Sequence, residues 1–269
     1  VNADACICVR CGAWYPEPPA QCLICTDERE AVAAGGQQWT SAQELQANHR
    51  NVARELEPGL SGIVTSPAFA IAQQMHLVET PAGNLLWNSN SLVDDDALHF
   101  LRERGVTAIA VCHPHFYTGM AAWSSALGDI PIFIHANDQA WVTDPSPRIV
   151  TWDGATCRPI PGSGLTLIRC GGHFPGSHVL HWPEGAEGRG ALLTGDTISV
   201  VEDRHWVTFM YSYPNWIPLG PRAISRILAA IAPYPFARLY GGWPGAVVVE
   251  DASAVVQRSA ARFMEHVTL

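Results

Sequence analysis

Val106-Thr107-Ala108-Ile109-Ala110-Val111-Cys112-His113-Pro114-His115 is a short apolar run that ends in two histidines. It follows a helix whose start is marked by Asp94, whose Ala97, Leu98 and Leu101 share one face, and which stops at Gly105. An apolar run of this length bounded by such a stop reads as a buried strand, Val106 to Val111. Residues i and i+2 of an extended segment face the same side, and Pro114 fixes the backbone between them, so His113 and His115 can address one ion. Two more expected strand ends carry potential ligands. The strand Leu165 to Ile168 leads to Gly171-Gly172-His173-Phe174-Pro175-Gly176-Ser177, and the strand Ala191 to Thr194 runs into Gly195-Asp196.

Working outward, Ile63-Val64-Thr65, Met75 to Glu79 and Leu85-Leu86-Trp87 read as adjacent antiparallel strands, with Pro81-Ala82-Gly83-Asn84 as a turn. Further strands are expected at Ile132 to Ile134 and Arg238 to Tyr240. Pro221 opens a helix through Ile224, Ile227, Leu228 and Ile231, and Ala252, Val255, Val256, Ser259 and Phe263 repeat the helical spacing. Antiparallel strands followed by strand and helix alternation suit a sheet sandwich covered by helices, in the α+β or α/β class.

The order His-x-His, Gly-His-x-Pro-Gly-Ser, strand-Gly-Asp resembles the metallo-β-lactamase superfamily, over roughly residues 60 to 266. The resemblance implies a four-layer αββα sandwich with a metal at one edge of the two sheets. It matches His113, His115 and His173 to the first-metal ligands, and Asp196 to the carboxylate that normally bridges two metals. The chain departs from the family twice. The family's first motif reads His-x-His-x-Asp-His, where Tyr117 and Thr118 stand here, and the last motif, Leu239-Tyr240-Gly241-Gly242-Trp243, has no histidine. One mononuclear site is therefore expected, with the second metal site lost.

With zinc, four ligands at bonding distance close the site, so hydrolysis requires Asp196 to stay loose or the ion to take a fifth ligand. Water could then approach a pKa near ~7 and attack a small ester, thioester or lactone. Asp196 would be the fourth ligand or the water's anchor, and Tyr117, a poor base, would polarise an oxyanion. Iron(II) with the same ligands keeps positions open for oxygen, as in a persulfide-dioxygenase-like branch of the superfamily. A non-catalytic ligand-binding protein on the same fold is the third reading.

Five of the eight cysteines fall within residues 6 to 25. Cys8-Val9-Arg10-Cys11 and Cys22-Leu23-Ile24-Cys25 are two Cys-x-x-Cys turns separated by ten residues. Two such turns supply four thiolates for a structural zinc ribbon, with rubredoxin-like iron or a redox pair as rivals. Cys6 stays outside the set. The expected organisation is a four-cysteine zinc ribbon at 1–30, a linker with a short helix at 31–58 opened by Ser41-x-x-Glu44, and the main domain at 59–269.

The remaining aromatic and histidine residues suggest where a substrate would sit. Trp206, Phe209, Tyr211, Tyr213 and Trp216 fall in a Pro-containing stretch soon after Asp196, and Trp243 stands at the emptied last-ligand position. They are expected to wall a pocket, with His135 at a strand end as a further contact. His178 and His181, on a strand-like segment, are expected to hydrogen-bond structurally, or to support His173.

Composition excludes several other functions. All 16 basic residues are Arg, and the absence of Lys rules out Schiff-base chemistry and a Walker-A lysine. A net charge of −9 offers no general attraction for nucleic acid or anionic lipid. No apolar run approaches the roughly 20 residues of a membrane span, and Val1 to Ala5 does not resemble a signal segment. A cytoplasmic protein acting on a small molecule is expected, and the 15% charged fraction with loop aromatics allows a homodimer.

Overall fold

A computed structural model describes residues 5–267. Residues 1–4 of the expected ribbon and 268–269 of the expected main domain lie outside the described residues. Two sheets dominate the structure. The larger has seven strands in the order Ile149–Trp152, Ile132–His135, Val106–Ala110, Asn84–Trp87, Met75–Val78, Leu60–Ser66, Arg50–Glu57. Pairing is antiparallel from Arg50–Glu57 to Asn84–Trp87 and parallel from there to Ile149–Trp152. The smaller has six strands, Thr156–Cys157, Thr166–Arg169, His178–Trp182, Ala191–Leu193, Arg238–Tyr240 and Val247–Val248.

Side-chain alternation decides how the sheets stack. Along the smaller sheet, Leu167, Leu180, Leu193 and Tyr240 join one buried cluster, while their neighbours Ile168, Val179, Leu192 and Leu239 join another. The first cluster also holds Leu77, Leu85 and Ile109 of the larger sheet, so it fills the layer between the sheets and continues to the larger sheet's outer face. The second holds Ile224 and Ile227 of the helix Pro221–Ile231, with Val255 and Val256 of Ala252–Val267. Helices Asp95–Glu103 and Met120–Ala126 bury Leu101 and Trp123 in the first cluster. The architecture is the expected helix, sheet, sheet, helix sandwich. No helix among the described residues is long and apolar enough to cross a membrane.

Residues 31–58 hold more than the expected short helix. Ser41 caps the helix Ala42–Asn48 by accepting a hydrogen bond from Glu44 N, but Glu44 itself reaches Thr40 Oγ1. Trp39–Ser41 pairs with Cys6–Cys8, and Arg50–Glu57 is the edge strand of the larger sheet. An edge strand exposes most of its side chains and carries charge against further pairing, so Arg50, Arg54 and Glu55 hid it from a hydrophobic-pattern reading.

One residue of that edge strand ties the two sheets together. Glu57, 8% exposed, accepts hydrogen bonds from Arg238 Nη1 at 2.6 Å, Ala186 N at 3.0 Å and Tyr240 Oη at 2.9 Å. Glu57→Ala would leave Arg238 to the more distant Glu187 at 3.5 Å and Glu250 at 3.8 Å, and would strip Tyr240 Oη and Ala186 N of their acceptor. The fold should lose about 1–3 kcal/mol in urea unfolding, and a loss no greater than that of an exposed glutamate would show that the bridge is idle.

His76 is fully enclosed, and burial pushes its pKa down to about 3. The unfolded chain takes up this proton near pH 6.5, whereas the folded state refuses it until about pH 3. Stability is thus lost as pH falls through that window, by at most about 1.4 kcal/mol per pH unit. A pH series of denaturation midpoints should show a shallower acid slope for His76→Gln than for the native chain.

Candidate metal centre

The four ligand candidates meet past the C-terminal ends of three strands, one in the larger sheet and two in the smaller. Val106–Ala110 delivers His113, whose backbone is extended, and Pro114–Phe116 then makes a 3-10 turn that carries His115. The extended His-x-His segment expected from the sequence is therefore a turn, because proline favours the first position of a helical turn. His173 follows Thr166–Arg169, and Asp196 follows Ala191–Leu193. Gly195 has φ +52°, and a Cβ there would lie 2.6 Å from Cys112 Sγ. Only glycine lets the Asp196 turn come this close to the His113 strand.

Asp196 Oδ2 lies 3.0 Å from His113 Nε2, 3.7 Å from His115 Nδ1 and 3.7 Å from His173 Nε2. His173 Nε2 and His115 Nδ1 are 3.2 Å apart. Zinc with metal–nitrogen bonds of about 2.0–2.1 Å sits in a tetrahedron whose edges are about 3.3 Å, so these separations fit one ion. The far sides of the rings support that use. His173 Nδ1 donates to the Met210 carbonyl at 3.2 Å, which leaves Nε2 as a lone pair, and His113 Nδ1 lies 2.9 Å from Cys112 Sγ. Asp196 Oδ1 and His115 Nε2 are buried without a hydrogen-bond partner among the described residues.

Electrostatics prepare the same set for a cation. Burial drives the pKa of His113 and of His173 down, only partly opposed by Asp196, so both rings are neutral, the ligating form. Burial alone would raise the Asp196 carboxyl, but its hydrogen bonds with His113 and His115 hold it well below the usual range. Neutral imidazoles and an ionised carboxylate are the donor set of a zinc-type site.

No ligand cluster for a second ion stands beside it among the described residues. Tyr117 is buried in the core with its hydroxyl unpartnered among the described residues, and burial, then Asp138 and Cys112, raise its pKa. It does not line the cavity at the site, which removes the support for a polarising role. Thr118 Oγ1 shares a hydrogen bond with Ser89 Oγ at 3.1 Å, and Trp243 Nε1 donates to the Ile71 carbonyl at 2.8 Å.

A cavity of about 490 Å³ reaches the site, and His115 and Asp196 form part of its wall. Of the expected pocket residues, Tyr213 and Trp243 line it. Tyr213 Oη donates to the Asp196 carbonyl at 3.0 Å. Tyr211 lies outside this cavity, and its hydroxyl donates to Glu28 at 2.5 Å. Phe209 is core, Trp206 packs under Arg262, and Trp216 is 84% exposed, so none of these three walls the cavity. His135 is also misplaced by the sequence reading: it is buried against Trp152 and hydrogen-bonds Gly154 O. His178 Nδ1 bonds Gly176 O and His181 Nε2 bonds Pro235 O, both structural contacts.

Sequence reasoning missed the cavity's other wall. Arg10, Arg29 and Glu30, from the cysteine-rich module, line it with Ala70 and Ile71. Arg10 lies inside the first Cys-x-x-Cys turn, the one signal that could have singled it out. The module is pressed against the main domain, for Ser91 Oγ donates to Gly12 O at 2.7 Å and Trp14 Nε1 to Ser91 O at 3.1 Å. Gly12, at φ +81°, has room for no Cβ, which would lie 2.2 Å from Ser91 Oγ. Within it, the Sγ atoms of Cys8 and Cys25 are 3.6 Å apart and those of Cys11 and Cys22 are 3.5 Å apart. Sulfurs around zinc at about 2.3 Å stand about 3.8 Å apart, so this buried cluster too fits one ion.

No family model matches the chain. It is 43% identical over 265 residues to the Bacillus subtilis (strain 168) protein described as "Uncharacterized protein YmaE", spanning 96% of this chain and 95% of the relative. Among solved structures it resembles VMB-1, with a TM-score of 0.61 at 12% identity, over 82% of this chain and 99% of that one. A metallo-β-lactamase from Erythrobacter litoralis matches with a TM-score of 0.56 at 15% identity, over 77% and 96%. The metallo-β-lactamase FIM-1 from Pseudomonas aeruginosa, in a mono-zinc form, matches with 0.55 at 12%, over 78% and 96%.

Element-resolved analysis of the purified chain should find about two metal ions per molecule, one per ligand cluster. His113→Ala should lower this to about one. An unchanged content would remove His113 from any metal site.

Proposed function

This chain belongs to the family of YmaE from Bacillus subtilis and has the metallo-β-lactamase fold, and from those premises we propose that it is a metal-dependent hydrolase of a small ester, thioester or lactone. Its metal would be a single ion held by His113, His115, His173 and Asp196. The observation that carries this reading is the cavity: a site meant only to brace the fold has no need of a 490 Å³ opening walled by two of its own ligands. A single ion is supported by the residues at the family's second-site positions, Tyr117, Thr118 and Trp243, none of which is a common ligand. FIM-1, on the same fold, has a mono-zinc form.

Zinc bound there would supply Lewis acidity, polarising an acyl carbonyl and making water nucleophilic near neutral pH. The protein's own groups do the rest. Asp196, ionised and part of the cavity wall, would orient the attacking water by accepting its hydrogen bond. His115, whose ring forms part of the cavity wall, would hold the ion through Nδ1, the atom that faces Asp196 Oδ2. Tyr213 fixes the Asp196 backbone from the other side. Ile71, Val200 and Trp243 give the acyl chain an apolar bed.

A zinc-loaded sample assayed on ester, thioester and lactone panels tests the reading. Asp196→Asn should lower kcat/KM by about 10²-fold or more, in line with the loss of a positioned acid–base group. No hydrolysis of any panel member, or an iron-loaded protein that consumes oxygen, would overturn it.

A further inference from the structure

The cysteine-rich module does more than cover the sandwich, because its Arg10, Arg29 and Glu30 share one cavity with His115 and Asp196. Arg29 is fully engaged there. Asp27 takes its Nε at 2.7 Å and Nη2 at 3.2 Å, its guanidinium lies 4.0 Å from the Phe174 ring centroid, and Nη1 reaches the His173 carbonyl at 3.5 Å. Arg10 is engaged only in part. Its one ion pair among the described residues is between Nε and Glu30 Oε2 at 3.4 Å, and its side chain is 43% exposed. Nη1 and Nη2 have no partner among the described residues, so most of its five N–H donors are free at the cavity wall. Cys8 and Cys11 flank it in sequence and tie its backbone to the cluster, and Glu30 holds its Nε.

We propose that Arg10 determines specificity by binding a carboxylate that the substrate carries at the end remote from its acyl group. The inference rests on the hydrolytic reading above and narrows it. A guanidinium fork matches a carboxylate or a phosphate, and the neighbouring charges choose between them. Glu30 is buried beside Arg10, and Asp196 lines the same cavity, so a dianion meets two carboxylates where a monoanion needs only one cation. Ile71, Val200 and Trp243 favour a methylene chain or a ring between the two ends. The substrate class is then a half-ester or half-thioester of a dicarboxylic acid, or a lactone bearing a carboxylate.

The test uses the full zinc-loaded chain, Arg10→Ala and Arg10→Lys, each checked for unchanged metal content. Isothermal titration calorimetry compares glutarate with valerate, which differ by one carboxylate, and kinetics compare mono-4-nitrophenyl glutarate with 4-nitrophenyl valerate. The native chain should favour the carboxylate-bearing member by about tenfold or more in both Kd and kcat/KM, as a charge-assisted hydrogen bond provides. The ratio should fall towards 1 in Arg10→Ala and lie between in Arg10→Lys, which keeps the charge and loses the fork. Equal binding of the two acids by the native chain, a preference that survives Arg10→Ala, or tighter binding of 4-phosphonobutyrate than glutarate would overturn the proposal. Binding discrimination without hydrolysis of either ester would uphold Arg10 and sink the hydrolase. Hydrolysis without discrimination would do the reverse.

Discussion

The structure turns on the burial of four metal-binding side chains within about one bond length of a common centre. His113, His115, His173 and Asp196 are at most 4% exposed, and each is aimed by a different backbone device: an extended strand end, a 3-10 turn, a glycine loop and the tight Gly195 turn. Enclosing a carboxylate costs several kcal/mol unless a cation or hydrogen bonds compensate. Imidazole nitrogens of His113, His115 and His173 crowd Asp196 Oδ2 at 3.0 to 3.7 Å, and a ring nitrogen that presents its lone pair there compensates nothing. A cation at the centre resolves both problems at once, and strand ends are where two packed sheets can bring loops together without disturbing the core between them.

The same constraint explains the attachment of the cysteine-rich module. A module with three short strands has too little apolar surface to fold alone, and it relies on its thiolate cluster and on the main domain. Its docking is specific. Gly12 leaves no room for a Cβ against Ser91, Asn215 Nδ2 donates to the Glu28 and Glu30 carbonyls, and Arg29 reaches the carbonyl of His173 itself. The module thus packs against the loop of one candidate ligand and supplies a wall of the cavity before the others. Loss of its cluster would loosen more than its own fold.

The sandwich and the ligand set were legible in the sequence because each has a local signature. Val106–Ala110 and Ala191–Leu193 are apolar runs with sharp ends, and His113, His173 and Asp196 stand at short distances past strands, where hydrophobic periodicity gives way to glycine and proline. Arg50–Glu57 had no such signature, since an edge strand is written in polar residues. The pocket was illegible for a different reason. Its wall is assembled from positions 10, 29, 71, 200 and 243, which only the tertiary fold brings together. Aromatic residues near Asp196 in sequence were a poor guide, because Phe209 turns into the helix-covered core while Trp216 turns out to solvent.

That difference bears on how function divides between the two parts of the chain. The residues able to hold a catalytic ion come from the sandwich alone, whereas the cations able to recognise a substrate's charge at the cavity come from the module alone. A bare sandwich of this fold would keep Asp196 as the cavity's one ionised group and would repel anions until a metal was bound. Adding the module places Arg10 and Arg29 in the same lining, Arg29 paired with Asp27 through two nitrogens and Arg10 with Glu30 through Nε. On the hydrolytic reading, chemistry and selectivity would thus fall to side chains of two parts that are held to one another by Arg29, Ser91 and Asn215, so a change in either would be felt at the shared cavity.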